Sequence, residues 1–271
     1  MSSNLLEPDI EGILRATLEN ASGDVLVVNP SDETVEELVS VLAELSDAPS
    51  VQVLADDSVL KDVMADFIVA STAADLIEAE TLALHTVESR PENSLLITED
   101  SVVAVVAAGD RVAGLSTDDD AFIKSANEMY ADLWAETDAF TLRTPPISRV
   151  RSSLSEDLGS TVGSDFEGVL SSLETARGDG DGLDEVTISL LVAAKNEALL
   201  YDISKWGEDV GIASKATFSR TKTKLEDMGL ITTEKVPIDV GRPRLRLMLG
   251  DERLRGAKPD QLASVAQSIL N

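Results

Sequence analysis

The spacing of apolar residues along the first part of the chain predicts alternating helices and strands. Apolar residues recur with a helical period over 10–18 and 31–45, and each of these runs precedes a short apolar stretch, at 24–29 and 51–55. We predict a strand at each short stretch and a further helix over 57–74. This alternation predicts a parallel α/β sheet.

The next segments change to short apolar runs separated by turn residues. The last three runs predict an antiparallel meander that completes the sheet, and a helix over 119–137 follows. The runs lie at 81–87, 94–98, 101–107 and 111–115. We therefore predict an α/β domain, with a mixed sheet and flanking helices, over residues 1–143.

Residues 144–182 lose this periodicity and are rich in Ser, Pro and Gly as far as Gly163. We predict an interdomain linker there, with one short amphipathic helix that starts near Phe166.

Residues 183–271 predict a winged helix-turn-helix domain with a C-terminal helix. Three helices are expected, over 184–198, 202–210 and 214–228, and Gly211 makes the turn between the second and the third. Two strands should follow, at 230–236 and 245–249, joined by a wing whose tip contains Gly241-Arg242-Pro243.

Composition adds a strong and uneven charge. The chain has 50 Asp and Glu against 22 Lys and Arg, a net charge of −28, and it has no Cys, which excludes disulfides, zinc-thiolate sites and thiol nucleophiles. Residues 1–183 hold 37 acidic and 9 basic residues, whereas residues 184–271 hold 13 of each. The dispersed acids and the scarcity of Lys resemble the protein style of salt-accumulating archaea. We expect a halophilic source and a stability that depends on salt.

The stretch 214–246 is locally basic and is where a polyanion could bind. If Phe218 points inward on the third helix, Leu225 and Met228 share its buried side at about 100° per residue. Five residues then point outward: Ala216, Thr217, Arg220, Thr223 and Lys224. A small, hydroxylated and basic face of this kind can enter the major groove of duplex DNA.

The sequence therefore predicts a set of DNA-binding residues. Arg220 and Lys224, with the two Thr hydroxyls, are the candidates for base edges, Lys215 and Lys222 for phosphates, and Arg242 and Arg244 for the wing contact. The complete set is Lys215, Thr217, Arg220, Lys222, Thr223, Lys224, Arg242 and Arg244.

Three motifs in this region resemble those of winged-helix transcription regulators from archaea and bacteria: 216–220, 225–231 and 241–243. Over its full length the chain resembles haloarchaeal regulators of the TbsP type, a TrmB-associated family linked to sugar metabolism. The resemblance implies a sequence-specific transcription factor for metabolic genes. An adaptor that uses the winged helix without reading bases stays open as an alternative.

An enzymatic first domain is disfavoured. Its order of elements resembles phospholipase-D-like effector modules, whose signature pairs a His with a Lys two residues on, but the sole His85 is followed by Thr86 and Val87. There is no Gly-x-Ser-x-Gly elbow in this domain and no Gly-rich phosphate loop after the first strand. We expect no catalytic, cofactor or metal site, although a metabolite effector could bind where the first strands end. Asn29, Ser31, Ala55 and Asp56 lie there. Helix capping is the favoured role for these residues.

The partners expected are double-stranded DNA and a second copy of the chain, since two-fold DNA sites are bound by two-fold proteins. The helix over 259–270 could form the dimer contact or pack in its own domain. No apolar run approaches the roughly 20 residues needed to cross a bilayer, and the start of the chain lacks a signal-peptide pattern, so we expect a cytoplasmic protein without a membrane partner.

Overall fold

A computed structural model of the chain describes residues 4–109, 111–177, 183–238 and 243–270. Its contacts separate two compact units. The first consists of Met1–Ala65 and Thr72–Leu142, and the second of Asp66–Ser71 and Arg143–Asn271. Each unit is described by itself.

The first unit is a sheet with helices on both faces. In chain order its elements are β1 (Leu5–Glu7), α1 (Ile10–Glu19), β2 (Val25–Val28), α2 (Asp32–Glu44), β3 (Val51–Asp56), α3 (Asp57–Val63), α4 (Phe67–Glu78), β4 (Leu82–Val87), β5 (Leu95–Ile97), β6 (Val102–Ala108), β7 (Arg111–Thr117), α5 (Asp120–Glu136) and β8 (Asp138–Ala139).

The sheet is mixed, as the sequence predicted. Its strand order is β1-β7-β6-β5-β2-β3-β4-β8. Strands β2, β3 and β4 pair in parallel, whereas β5, β6 and β7 form the predicted antiparallel meander. All four residues of β2 are buried, because this strand lies in the middle of the sheet and is covered on both faces.

Capping side chains fix where the helices begin. The carboxylates of Asp9 and Asp119 accept backbone N–H bonds at the starts of α1 and α5, and the hydroxyl of Ser31 does so for α2. Helix α5 then packs Ile123, Ala126 and Tyr130 onto one face of the sheet.

The helix predicted over 57–74 is two helices, so this prediction is wrong in detail. Helix α3 ends at Val63, and Asp66 starts α4 by accepting N–H bonds from Ile68 and Val69. Asp66 is buried and also accepts hydrogen bonds from the Thr175 hydroxyl and the Ala176 amide. Because the chain breaks between α3 and α4, the Asp66 carboxylate can accept hydrogen bonds from all four of these donors. A continuous helix would use the backbone N–H groups of Ile68 and Val69 for its own hydrogen bonds. The edge strands β1 and β8 were also not predicted.

The second unit contains a bundle of helices and a two-stranded sheet. Besides the start of α4, its elements are α6 (Ile147–Leu158), α7 (Ser160–Leu170), α8 (Glu185–Lys195), α9 (Leu200–Val210), α10 (Lys215–Asp227), β9 (Ile231–Val236), β10 (Arg244–Leu249), α11 (Glu252–Gly256) and α12 (Pro259–Leu270).

The linker predicted over 144–182, with one short helix near Phe166, contains two helices, α6 and α7, so the loss of periodicity up to Gly163 does not mark an irregular segment. Residues 178–182 of this range lie outside the described residues. Helix α6 buries Ile147, Val150 and Leu154 in the core of the second unit. Its Ser153 hydroxyl also accepts a 2.9 Å hydrogen bond from the Trp206 indole N–H. The many Ser residues of α6 hid this stripe in the sequence, but they lie on its polar side or bond to its own backbone.

The apolar stripe of α12 packs within its own unit. Leu262, Ala263 and Ala266 are buried, and the helix contacts α7, α8 and α11. Of the two interpretations that the sequence left open for this helix, the structure shows the internal one.

In the ranges that the structure describes, no helix combines the length and the apolar character needed to cross a membrane.

Candidate nucleic-acid interface

Helices α9 and α10 form the helix-turn-helix. Gly211 ends α9 with a φ of 96°, a left-handed conformation that favours glycine. The two helices approach so closely at Gly207 that a Cβ atom there would overlap the ring of Phe218. This contact fixes the position of α10 against α9 within the three-helix domain formed by α8, α9 and α10.

Helix α10 begins at a Ser214 cap and buries a narrow stripe. The Ser214 hydroxyl accepts a 3.2 Å hydrogen bond from the Thr217 amide, and Phe218 and Leu225 are buried as predicted. The prediction that Met228 points inward is wrong, since Met228 is 41% exposed. The helix ends one residue earlier, Gly229 reverses the chain at a φ of 75°, and Leu230 fills the interior position.

The opposite side of α10 is exposed and carries the predicted base-reading residues. Ala216, Arg220, Thr223 and Lys224 are exposed, and Thr217 is half-buried. The Arg220 guanidinium lies 3.4 Å from the Thr217 hydroxyl, so the two side chains share one turn of the helix. No acidic residue occurs in α10 before Glu226.

Lys215, at the start of α10, is held by an acid of α9. Its Nζ atom lies 2.6 Å from Oε2 of Glu208. This hydrogen bond raises the pKa of Lys215 and lowers that of Glu208. Both side chains are exposed, so the pair is an exchangeable surface ion pair.

Lys222 differs from the other cations of α10, which are exposed, because only 12% of its side chain is exposed. Its Nζ atom lies 2.6 Å from Oε2 of Glu226, and Oε1 of Glu226 accepts a hydrogen bond from the Thr233 hydroxyl on β9. Burial alone would raise the pKa of Glu226, but these hydrogen bonds outweigh it and the pKa is lowered. The three side chains join α10 to the hairpin.

Strands β9 and β10 form the antiparallel hairpin of the wing, with Val236 opposite Arg244. The Arg244 guanidinium lies 3.8 Å from the centre of the Tyr201 ring and 3.2 Å from Oδ1 of Asp202. Gly241 and Arg242 of the predicted wing tip, Gly241-Arg242-Pro243, lie outside the described residues. Tyr201 was not among the predicted site residues, because nothing in the sequence links it to a wing residue 43 positions away.

Lys235 lies on β9, within the hairpin, and is a further exposed cation that the predicted set omits. Within the part of the chain that the structure describes, neither Lys235 nor Lys224 makes an ion pair. Lys235 lies in the basic stretch 214–246, and this is the sequence signal that could have identified it as a candidate DNA-binding residue.

In the first unit, the polar residues at the ends of the first strands act as caps or bind their neighbours. Ser31 and Asp56 cap α2 and α3. The Asn29 side chain accepts a hydrogen bond from Arg90 and donates one to the Pro91 carbonyl. His85 stacks on Trp134 with ring centres 3.7 Å apart, and burial lowers its pKa.

Three packed helices followed by a hairpin, with an exposed basic third helix, define the second unit as a winged helix-turn-helix domain of the DNA-binding kind. The chain belongs to the TbsP-like transcriptional regulators. The family model for their N-terminal domain matches residues 2–145, and the model for their C-terminal helix-turn-helix domain matches residues 146–267. The two matches together span residues 2–267, and both are domains of transcriptional regulators.

No curated protein matches the chain. The solved structures similar to it include TrmBL2, described as an archaeal chromatin protein with a novel mode of DNA binding, at 12% identity and a TM-score of 0.38. This match covers 51% of the chain, which spans 54% of TrmBL2.

Two further similar structures are Nuc, a phospholipase D family member from Salmonella typhimurium, and NucT from Helicobacter pylori. Their identities are 10% and 15%, and their TM-scores are 0.35 and 0.37. Each match covers 51% of the chain and 99% of the solved one. At TM-scores this low, the likenesses assign neither a fold nor an activity.

Proposed function

We propose that this TbsP-like regulator binds DNA in a sequence-specific manner, with α10 in the major groove and the β9–β10 hairpin against the flanking backbone. One observation carries the proposal. The outward face of α10 is exposed and basic in a chain of net charge −28, and no acid interrupts it before Glu226. A helix face that only contacts water would be expected to be acidic like most of the surface of this chain. A basic face is expected where a polyanion binds.

Base reading falls to the exposed cations and hydroxyls of α10. Arg220 can donate two hydrogen bonds to a guanine edge, and Lys224 lies four residues further along the same helix. The side chains of Thr217 and Thr223 can meet a base edge or a thymine methyl group.

Cations around the outward face of α10 are proposed to contact phosphates. Lys215 can exchange Glu208 for a phosphate, at the cost of leaving that carboxylate exposed to water. Arg244 and Arg242 would supply the wing contact. Lys222 is shielded and bound to Glu226, so we assign it to positioning α10 and not to a phosphate.

We further propose that the regulated genes serve sugar or central carbon metabolism in a halophilic archaeon. In this proposal the protein acts in the cytoplasm as a homodimer. Its first unit binds a metabolite effector. The dispersed acidic residues support the halophilic source. The two-fold symmetry common to DNA sites supports the dimer.

Fluorescence anisotropy with the intact protein tests DNA recognition. The probe is promoter DNA from the genomic neighbourhood of the gene, against a scrambled duplex of the same composition, in about 1 M KCl, where the Debye length is about 3 Å. We expect preferential, saturable binding to the promoter, and a loss of at least about tenfold in affinity for Arg220→Ala, Lys224→Ala.

The matched control removes two cations elsewhere in the same unit. Arg253 and Lys258 are exposed, and Arg253→Ala, Lys258→Ala changes the net charge by the same amount. This control should keep wild-type affinity. Equal losses in both variants would reduce the effect to net charge, and no binding by folded wild-type protein to any duplex would favour the adaptor.

A further inference from the structure

The β1–β7–β6 corner of the first unit presents an uncovered apolar face. Leu6 is 62% exposed, Leu115 48% and Val106 44%. Leu6 and Val106 are both paired with Ala113, so they lie in one row across three strands and on the same face. Leu115, two residues beyond Ala113, points to that face as well.

The same face becomes the buried core further along the sheet. Leu115 pairs with Ala104, Ala104 with Leu95, and Leu95 with Val28, which is fully buried. Helix α5 covers this inner part of the face, and its coverage stops before the outer strands.

Helix α5 borders the uncovered corner with apolar side chains of its own. Phe122 is 54% exposed and Met129 64%. On a helical projection, these two residues lie on one side of the buried stripe of α5, and Trp134 lies on the other. Because Trp134 stacks on His85 of β4, Phe122 and Met129 lie on the flank toward β6 and β7. The helix flank and the sheet face together form an apolar corner.

The strand part of the corner lacks the acidic charge that covers most of the first unit. Along β1, β6 and β7 no Asp or Glu lies on this face, and Arg111 is the one charged residue of these three strands there, whereas residues 1–183 contain 37 acids. The acids nearest to the helix flank are Asp132 and Glu136, which lie at its edge, three and seven residues beyond Met129. A face this poor in acids is where two copies of so acidic a chain can meet with the least repulsion.

We propose that this corner, formed by Leu6, Val106, Leu115, Phe122 and Met129, is the surface through which two copies of the chain dimerise. A two-fold axis brings the same patch of each copy together, so the apolar side chains of one copy meet those of the other. The inference adds a surface to the homodimer proposed above, and it does not depend on DNA binding.

The corner has the size of a small, dissociable interface. Strands β6 and β7 have seven residues and are about 24 Å long, but β1 has three residues and is about 10 Å long, so the three strands present roughly 280 Å². The flank of the 17-residue helix α5 adds a strip about 25 Å long and about 5 Å wide. The corner then offers roughly 400 Å² per copy, less than the about 1,200 Å² in total of standard interfaces and in the range of weakly associating partners.

Sedimentation equilibrium of the full chain, without DNA and in about 2 M KCl to screen the acids, tests the proposal. We expect the wild-type mass to rise from 28.8 kDa toward twice that value as the protein is concentrated from about 1 μM to several hundred μM. Leu115→Glu and Met129→Glu should each raise the dissociation constant at least tenfold. Ala131→Glu, an exposed position on the other side of α5, is the matched control and should stay dimeric.

A wild-type monomer over the whole concentration range would overturn the proposal. So would dimers that survive both corner substitutions, which would place the contact elsewhere, or equal dissociation of the Ala131→Glu control. Because DNA is absent, none of these results affects the proposed recognition by α10.

A second measurement covers the case in which a corner variant does not fold. The chain has no cysteine, so Met129→Cys and Ala131→Cys each introduce a single thiol. Maleimide labelling of the thiol at position 129 should slow at least fivefold as protein is concentrated through the dimer range, while labelling at position 131 stays constant. Equal rates at all concentrations would contradict the proposal.

Discussion

The ammonium group of Lys222 lies 2.6 Å from the carboxylate of Glu226, one turn further along α10, and most of the Lys222 side chain is shielded from water. The same carboxylate accepts a hydrogen bond from Thr233 on β9. One acidic residue therefore fixes both the helix that carries the DNA-reading face and the first strand of the wing.

Glu226→Gln should destabilise the second unit by about 1–2 kcal/mol, because it leaves the shielded Lys222 ammonium without its counter-charge. Urea unfolding measures this when followed by fluorescence in a Trp134→Phe background, in which Trp206 of the second unit is the sole tryptophan. Glu208→Gln, which breaks an exposed pair on the neighbouring helix, is the control and should change stability by at most about 0.5 kcal/mol.

The same substitution should remove part of the pH dependence of stability. The folded-state pKa of Glu226 is lowered, so its contribution is present above the ordinary Glu pKa of about 4.3 and is lost as pH falls through the lower folded value. The difference between wild type and Glu226→Gln should thus be constant at neutral pH and shrink below about pH 4. A difference that grows on acidification would contradict this assignment.

Gly207→Ala should disturb the helix-turn-helix, because the added methyl group would overlap the Phe218 ring on α10. Overpacking of this kind costs about 1–3 kcal/mol, which thermal unfolding can detect. Gly256→Ala is the control, since a Cβ atom at Gly256 meets no neighbour within 4 Å. Equal melting temperatures for the two variants would show that α9 and α10 can separate freely at this point.

His85 should titrate below the ordinary histidine pKa of about 6.5, because burial against Trp134 disfavours its charged form. His85 is the one histidine of the chain, so its ring protons can be followed by NMR without assignment. Protein unfolded in urea is the reference for the ordinary value. Since the folded pKa is depressed, His85 contributes stability above about pH 6.5 that is lost on acidification. A folded pKa equal to or above the reference would contradict the burial argument.

The sequence predicts the central elements well, because strong periodicity and caps determine them locally. Strand β2 with its run of four apolar residues, and α10 with Ser214 before it and Gly229 after it, are examples. The predictions fail where an element depends on contacts with residues that are distant in the sequence. Strand β1 is only three residues long and exists through its pairing with β7, and α4 begins at Asp66 because donors near residue 175 require its carboxylate.

Within the candidate site, the sequence predicts which residues of α10 face outward but not which cations are engaged. Helical spacing correctly places Arg220 and Lys224 on the exposed side. It could not predict that Lys222 is shielded from water or that Arg244 packs on Tyr201, since burial and this ring contact depend on the tertiary fold. Met228 was misplaced because the helical period stops at the cap.

The most direct test of the central claim, that α10 reads the major groove, is to attach a DNA-cleaving iron chelate to the helix. The chain has no cysteine, so Ser219→Cys provides one attachment point on the exposed side of α10, and Ser264→Cys on α12 is the matched control. If α10 lies in the groove, the Ser219→Cys conjugate should cleave promoter DNA within the protected site, in clusters about one helical turn or a multiple of it apart. Cleavage by the Ser264→Cys conjugate alone, or the same diffuse pattern from both conjugates on bound DNA, would contradict it.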